Sequence, residues 1–137
     1  MKKLVIDLNV ILDMLTRRDD HEAAIAVFDR CARKLDEGYL CSHEITTLAY
    51  FLGKDRGLRP KRTPIIRRLL DTLQTIPATA QILRDALDSP IGDYEDAVVE
   101  VSALANQIEF IVTRDLRDFS TSRVAIVTPR EYLALIS

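Results

Sequence analysis

Four acidic side chains stand where an apolar strand gives way to a polar turn or where a helix begins. They are Asp7 in LVIDLN, Asp96 in DYEDA, Asp115 in IVTRD and Glu44 in CSHEITTL. Carboxylates gathered at the strand tips of one sheet repel one another unless their pKa values rise or something positive sits among them. A hard divalent cation held by oxygen ligands is the resolution this donor set favours. Phosphodiester hydrolysis is the chemistry such a centre supports.

Each acid has a plainer role to set against that one. Asp7 ends an otherwise apolar strand and could accept hydrogen bonds from the turn around Asn9. A nearby cation accounts better for a carboxylate in so apolar a place. The D-x-x-D spacing of Asp93 and Asp96 reads as a helix cap followed by a first-turn acid. Asp93 is the expected cap, Asp96 the expected ligand, and Glu95 a solvent-facing neighbour. Asp115 lies nearer its strand tip than Asp118, so it is the expected ligand, while either can cap the short turn Leu116 to Phe119. The Thr113 hydroxyl can hold a carboxylate or a water. Glu44 falls in the first turn of its helix, where the dipole alone stabilises an acid.

The chain has 137 residues, a net charge of −2, 47% hydrophobic and 29% charged residues, which fits one globular domain. No apolar stretch approaches the ~20 residues of a membrane span. The N-terminus runs straight into a strand, so a cytoplasmic location without a membrane partner is expected. Cys31 and Cys41 lack a CxxC spacing and read as small reduced core residues; His21 and His43 are too isolated to suggest zinc. Charge is unevenly placed. The segment KDRGLRPKRTPIIRR carries Lys54, Arg56, Arg59, Lys61, Arg62, Arg67 and Arg68 against the single Asp55. It is either a solvated helix face or a patch that tracks phosphates, and Arg56, Arg59, Lys61 and Arg62 are the expected contacts to nucleic acid.

The elements that must position these residues follow from periodicity. Lys3 to Asp7 reads as a buried strand. His21 to Asp36 has helical spacing through Ala24, Val27, Phe28, Cys31 and Leu35, with Gly38 as its stop. Tyr39 to Cys41 is a short strand, and Ser42 caps a helix to about Gly53. Residues 61 to 75 form a helix with Pro64 in its first turn; Ile76 is strand-like and Thr79 to Leu87 helical. Asp93 to Asn106 is a helix with Ala97, Val98, Val101, Leu104 and Ala105 on its apolar side. Glu109 to Thr113 and Val124 to Val127 are strands, and Pro129 opens a last helix. Strands alternating with helices imply a parallel sheet covered on both faces, with ligands beyond the carboxyl ends of the strands.

Four blocks in this order resemble a PIN domain, the small nuclease fold that includes the VapC-type toxins of bacterial and archaeal toxin–antitoxin pairs. They are VIDLNVILD (Val5 to Asp13), DYEDAVVEVSA (Asp93 to Ala103), FIVTRDLRDF (Phe110 to Phe119) and VAIVTPREYL (Val124 to Leu133). The resemblance implies a three-layer α/β/α sandwich over residues 1–137, with a central parallel sheet of four to five strands. It implies a ribonuclease using Mg2+ or Mn2+, with Asp7, Asp96 and Asp115 as ligands; Asn9 or Thr113 could orient the attacking water. The family's Glu in the helix after the second strand aligns with Leu48; Glu44 lies one turn earlier, so the fourth ligand is Glu44, a water, or missing. A homodimer and an antitoxin peptide carrying a basic side chain into the acidic centre are further implications, and single-stranded or loop RNA is the expected substrate because a stacked duplex is hard to deliver to a recessed site.

Two rivals stand beside this reading. Leu48 in place of an acid suggests a PIN fold that binds nucleic acid or protein without cutting. A phosphohydrolase with Asp7 as covalent nucleophile would want a second Asp two residues on, where Asn9 stands.

Overall fold

Leu4, Val5 and Ile6 leave β1 (Lys3–Ile6) without a polar face, so it is stable only with cover above and below. A computed structural model describing residues 1–137 places it in the middle of a five-stranded parallel sheet of order β3-β2-β1-β4-β5. The other strands are β2 (Glu37–Cys41), β3 (Gln74–Ile76), β4 (Phe110–Val112) and β5 (Ala125–Val127). The helices are α1 (Leu8–Thr16), α2 (His21–Ala32), α3 (Ser42–Lys54), α4 (Arg62–Thr72), α5 (Ala80–Asp85), α6 (Tyr94–Ala105) and α7 (Pro129–Ile136). Short 3-10 turns span Arg59–Lys61 and Ala86–Asp88. The three-layer α/β/α architecture is the expected one.

The period of two in the strands divides the core. Leu4, Ile6, Leu40 and Val112 point to a face covered by residues of α1 to α4 and α7, including Val10, Val27, Leu48, Leu69 and Tyr132. Val5, Tyr39, Cys41 and Ile111 point the other way, onto α5 and α6 through Ile82, Ala97, Val98 and Val101. No helix is long and apolar enough to cross a membrane.

Several boundaries differ from the sequence expectation. The turn after Asp7 is a full helix, α1, because Val10 and Ile11 bury against the sheet. Helix α2 ends at Ala32, not Asp36: Lys34 adopts a left-handed φ of 59°, and Asp36 turns inward to accept from Arg30 at 2.8 Å. Leu35 is consequently exposed. Gly38 does not stop a helix; it lies inside β2, where an added Cβ would sit 2.5 Å from Cys31 Sγ. Ser42 is the first helical residue of α3, Cys41 holds the cap position, and the Ser42 hydroxyl accepts the Ala78 N–H at 2.9 Å. In α6 the buried run is Ala97 to Ala103, and the last-turn residues Leu104 and Ala105 are exposed. The terminal helix is capped as its sequence implies, with Thr128 and Glu131 bonding reciprocally around Pro129.

Candidate active site

Strand order reverses at β1: the chain moves outward through β2 and β3, then returns to β4 on the other side. A crevice at such a switch point opens beyond the carboxyl ends of the central strands. Asp7 follows β1 directly and is 2% exposed; its N–H extends the ladder to the Val112 carbonyl at 2.9 Å. It occupies the cap position of α1 without a side-chain capping bond, so the plainer role does not account for its carboxylate. Thr113, just past β4, donates its hydroxyl to Asp7 Oδ2 at 2.9 Å and accepts the Asp115 N–H at 3.0 Å. One hydroxyl therefore ties the two strand tips together. The Asn9 amide donates to Asp115 Oδ2, so Asn9 is engaged with a carboxylate rather than free to orient water.

Glu44 enters from α3. It is buried, its Oε2 accepts the Leu8 N–H at 3.3 Å, and its Oε1 is buried with no hydrogen-bond partner. Leu48, one turn deeper, is fully buried in the core. The acid that α3 contributes to this centre is thus Glu44. Asp96 arrives from the first turn of α6, half-buried, while Asp93 caps that helix by accepting the Asp96 N–H at 3.0 Å. Glu95 and Asp118 are exposed, and Asp118 lies in the turn after Asp115.

The electrostatics bind these positions into one environment. Burial, then the charge of Asp7, pushes Glu44 well above the usual carboxylate range. Burial also raises Asp7, with Asp115 adding to the rise, although hydrogen bonds from Glu44 and Thr113 pull the other way. Asp96 is pushed up to about 7, by burial first and then by Asp7, Asp93, Asp118 and Asp115. No lysine or arginine pairs with Asp7, Glu44, Asp96 or Asp115. Burial holds the imidazole of His43, beside Glu44, below its usual value, with the Glu95 carbonyl opposing.

The donor set fits a hard divalent cation: all its members are carboxylates, one buried oxygen has no partner, and no ion pair balances their like charges. No three acidic, histidine or cysteine side chains converge closely enough to form a ready-made cage. The acids are gathered at the range of mutual repulsion rather than of coordination. The basic residues Arg56, Arg59, Lys61 and Arg62 lie outside this centre, all exposed, at the distal end of α3 and the start of α4.

One network lies outside the sequence reading. Arg114 donates to Asp13 at 3.1 Å and to Asp19 at 2.8 Å, clamping the turn that carries Asp115 to the end of α1. Asp13 is 4% exposed and raised by burial, with Arg114 opposing the rise. Its only signal in the sequence is an Asp on the apolar run NVILDML, visible once α1 is recognised as a helix.

The VapBC complex of Salmonella typhimurium bound to DNA has a chain of the same shape, with a TM-score of 0.69 at 18% identity over 94% of this chain and 99% of that one. FitAcB from Neisseria gonorrhoeae gives 0.64 at 18% identity, over 93% and 98%. VapC20 of Mycobacterium tuberculosis, a toxin that cleaves the sarcin–ricin loop, gives 0.68 at 13% identity, over 85% and 93%. At such identities the likeness speaks to fold. No curated protein is close enough in sequence to match. The family model described as PIN domain matches residues 3–117. The chain belongs to the PIN domain family.

Proposed function

We propose that this protein is a metal-dependent endoribonuclease and the toxin of a toxin–antitoxin pair. The observation that carries the reading is the acidic centre itself: Asp7, Glu44, Asp96 and Asp115 act on one another as like charges, no lysine or arginine forms an ion pair with any of them, and a Glu44 oxygen is buried without a partner. Asp7, Asp96 and Asp115 would hold Mg2+ or Mn2+, with Glu44 beside Asp7. A bound ion supplies positive charge to the phosphoryl oxygens and makes water a better nucleophile at neutral pH. Thr113 fixes the rotamer of Asp7 and Asn9 that of Asp115, so the chain keeps its donors oriented without help from substrate. The exposed cations beyond α3 would hold flanking phosphates, and single-stranded or loop RNA reaches a recessed centre more readily than a stacked duplex.

VapBC and FitAB are complexes of two proteins, which supports a cognate antitoxin here, one that offers a basic side chain to the acidic centre. A homodimer is proposed on the same likeness.

The test is cleavage of structured and unstructured RNAs with added Mg2+ or Mn2+. Asp7→Asn and Asp96→Asn are each expected to lower the rate by at least roughly 100-fold, since even outer-shell partners of metal sites contribute 10- to 100-fold. Activity unchanged in both variants removes the proposal. A non-cutting binding module is the second reading, favoured by the lack of three converging donors. Titrating Mn2+ while following thermal unfolding separates the two. Stabilisation that vanishes in Asp96→Asn supports the metal site, and a flat response supports the binding module.

A further inference from the structure

The first of the α3 side chains that lie along one side of the helix is half-buried His43, whose Nε2 faces the Glu95 carbonyl of α6 at 3.2 Å, at the rim of the acidic centre. Thr47, Tyr50, Phe51 and Lys54 follow at helical intervals of four, seven, eight and eleven residues, so they share that side of the helix. The stripe is about 16 Å long. Tyr50 is 58% exposed and Phe51 47% exposed, which is unusual for adjacent aromatic residues in a chain with only eight. Their rings meet edge to face at 5.9 Å, and the Lys54 ammonium stands 4.7 Å from the Tyr50 centroid.

Beyond Lys54 come Arg56, Arg59, Lys61 and Arg62. Neither these nor Lys54 forms an ion pair, although Arg30, Arg33, Arg114, Arg123 and Arg130 all do. The one acid among them, Asp55, spends its carboxylate on the Gly57 and Leu58 N–H groups. Exposed rings followed by unpaired cations are the combination that binds single-stranded nucleic acid, rings for bases and cations for phosphates.

We propose that this face of α3 is a base-stacking platform for single-stranded RNA, running from the basic segment past Tyr50 and Phe51 to the acidic centre at His43. The inference rests on the ribonuclease reading and adds to it the surface that delivers the strand. The unpaired cations that continue from the rings favour a polyanion over a second copy of the chain on this face.

Binding of a fluorescein-labelled single-stranded RNA of mixed sequence, and of the same RNA as a duplex, is measured by anisotropy in an Asp96→Asn background; cleavage is scored separately. Tyr50→Ala and Phe51→Ala are each expected to weaken single-strand binding by roughly 5- to 150-fold, with duplex binding and melting temperature unchanged, and Tyr50→Phe to restore most of it. Unchanged single-strand affinity in both alanine variants overturns the platform. Loss of a dimer in sedimentation with unchanged RNA affinity also overturns it and assigns the face to a second copy. Neither result touches the nuclease reading, which stands or falls on cleavage by the Asp7→Asn and Asp96→Asn variants.

Discussion

Asp7 and Glu44 sit in a place from which water is nearly excluded, and neither meets a basic side chain. Carboxyls in that position hold protons above their usual range, and Asp96 does so to about 7 against an ordinary 3.8. Between those two values the folded chain carries a proton at Asp96 that the unfolded chain lacks. Stability therefore falls as pH rises through that window and levels off above it. Glu100 has the opposite sign: burial would raise it, but Arg123 and Ser89 more than offset that and hold it below its ordinary 4.5, so its stabilisation is lost only in stronger acid. Metal-free protein should melt at a higher temperature at about pH 5 than at about pH 8, and Asp96→Asn should shrink the difference by stabilising the alkaline side. A melting temperature that climbs toward pH 8 would contradict this. At the residue scale the sequence was informative where an acid closed an apolar strand or opened a helix, as with Asp7, Asp96 and Asp115. Glu44 was ambiguous because a first-turn acid satisfies the dipole whatever lies opposite it, and only tertiary packing brings it to Asp7.

Helices and strands position these residues through a few fixed points, and the Arg114 clamp is one of them. It joins the turn after β4 to α1 through Asp13 and Asp19. Arg114→Gln would leave the buried Asp13 without its partner. The expected loss is about 2–3 kcal/mol in urea unfolding, below the ~3–5 of a fully buried pair because Arg114 is partly exposed. A loss under about 0.5 kcal/mol would mean that the pair is a surface ornament. The order and type of most elements were legible from periodicity and caps. Helix α1 was not, because Asp7, a residue type that caps helices, reads equally as the end of the strand and the short segment after it as a turn. Gly38 misled for a related reason: glycine ends helices often, but here it makes room for Cys31.

Across the whole molecule, charge is sorted by place. Acids without partners gather at the strand tips, and cations without partners gather from Lys54 to Arg68. A net charge of −2 conceals this separation. For single strands, each phosphate contact contributes about −0.7 to the slope of log affinity against log salt. Contacts from Arg56, Arg59, Lys61 and Arg62 together predict a slope of roughly −3, and Lys61→Gln should make it shallower by about 0.7. An affinity indifferent to salt would exclude these residues from the contact.

The hydroxyl of Thr113 and the carboxylate it holds on Asp7 are 106 residues apart in sequence. During synthesis, β1, α3 and α6 emerge before β4 exists to complete the sheet beside β1. A nascent chain thus carries Asp7, Glu44 and Asp96 while nothing yet fixes Asp7 in place or brings Asp115 alongside. The centre is complete only once β4 docks beside β1, because the Thr113 bond to Asp7 and the placement of Asp115 both arrive with that strand.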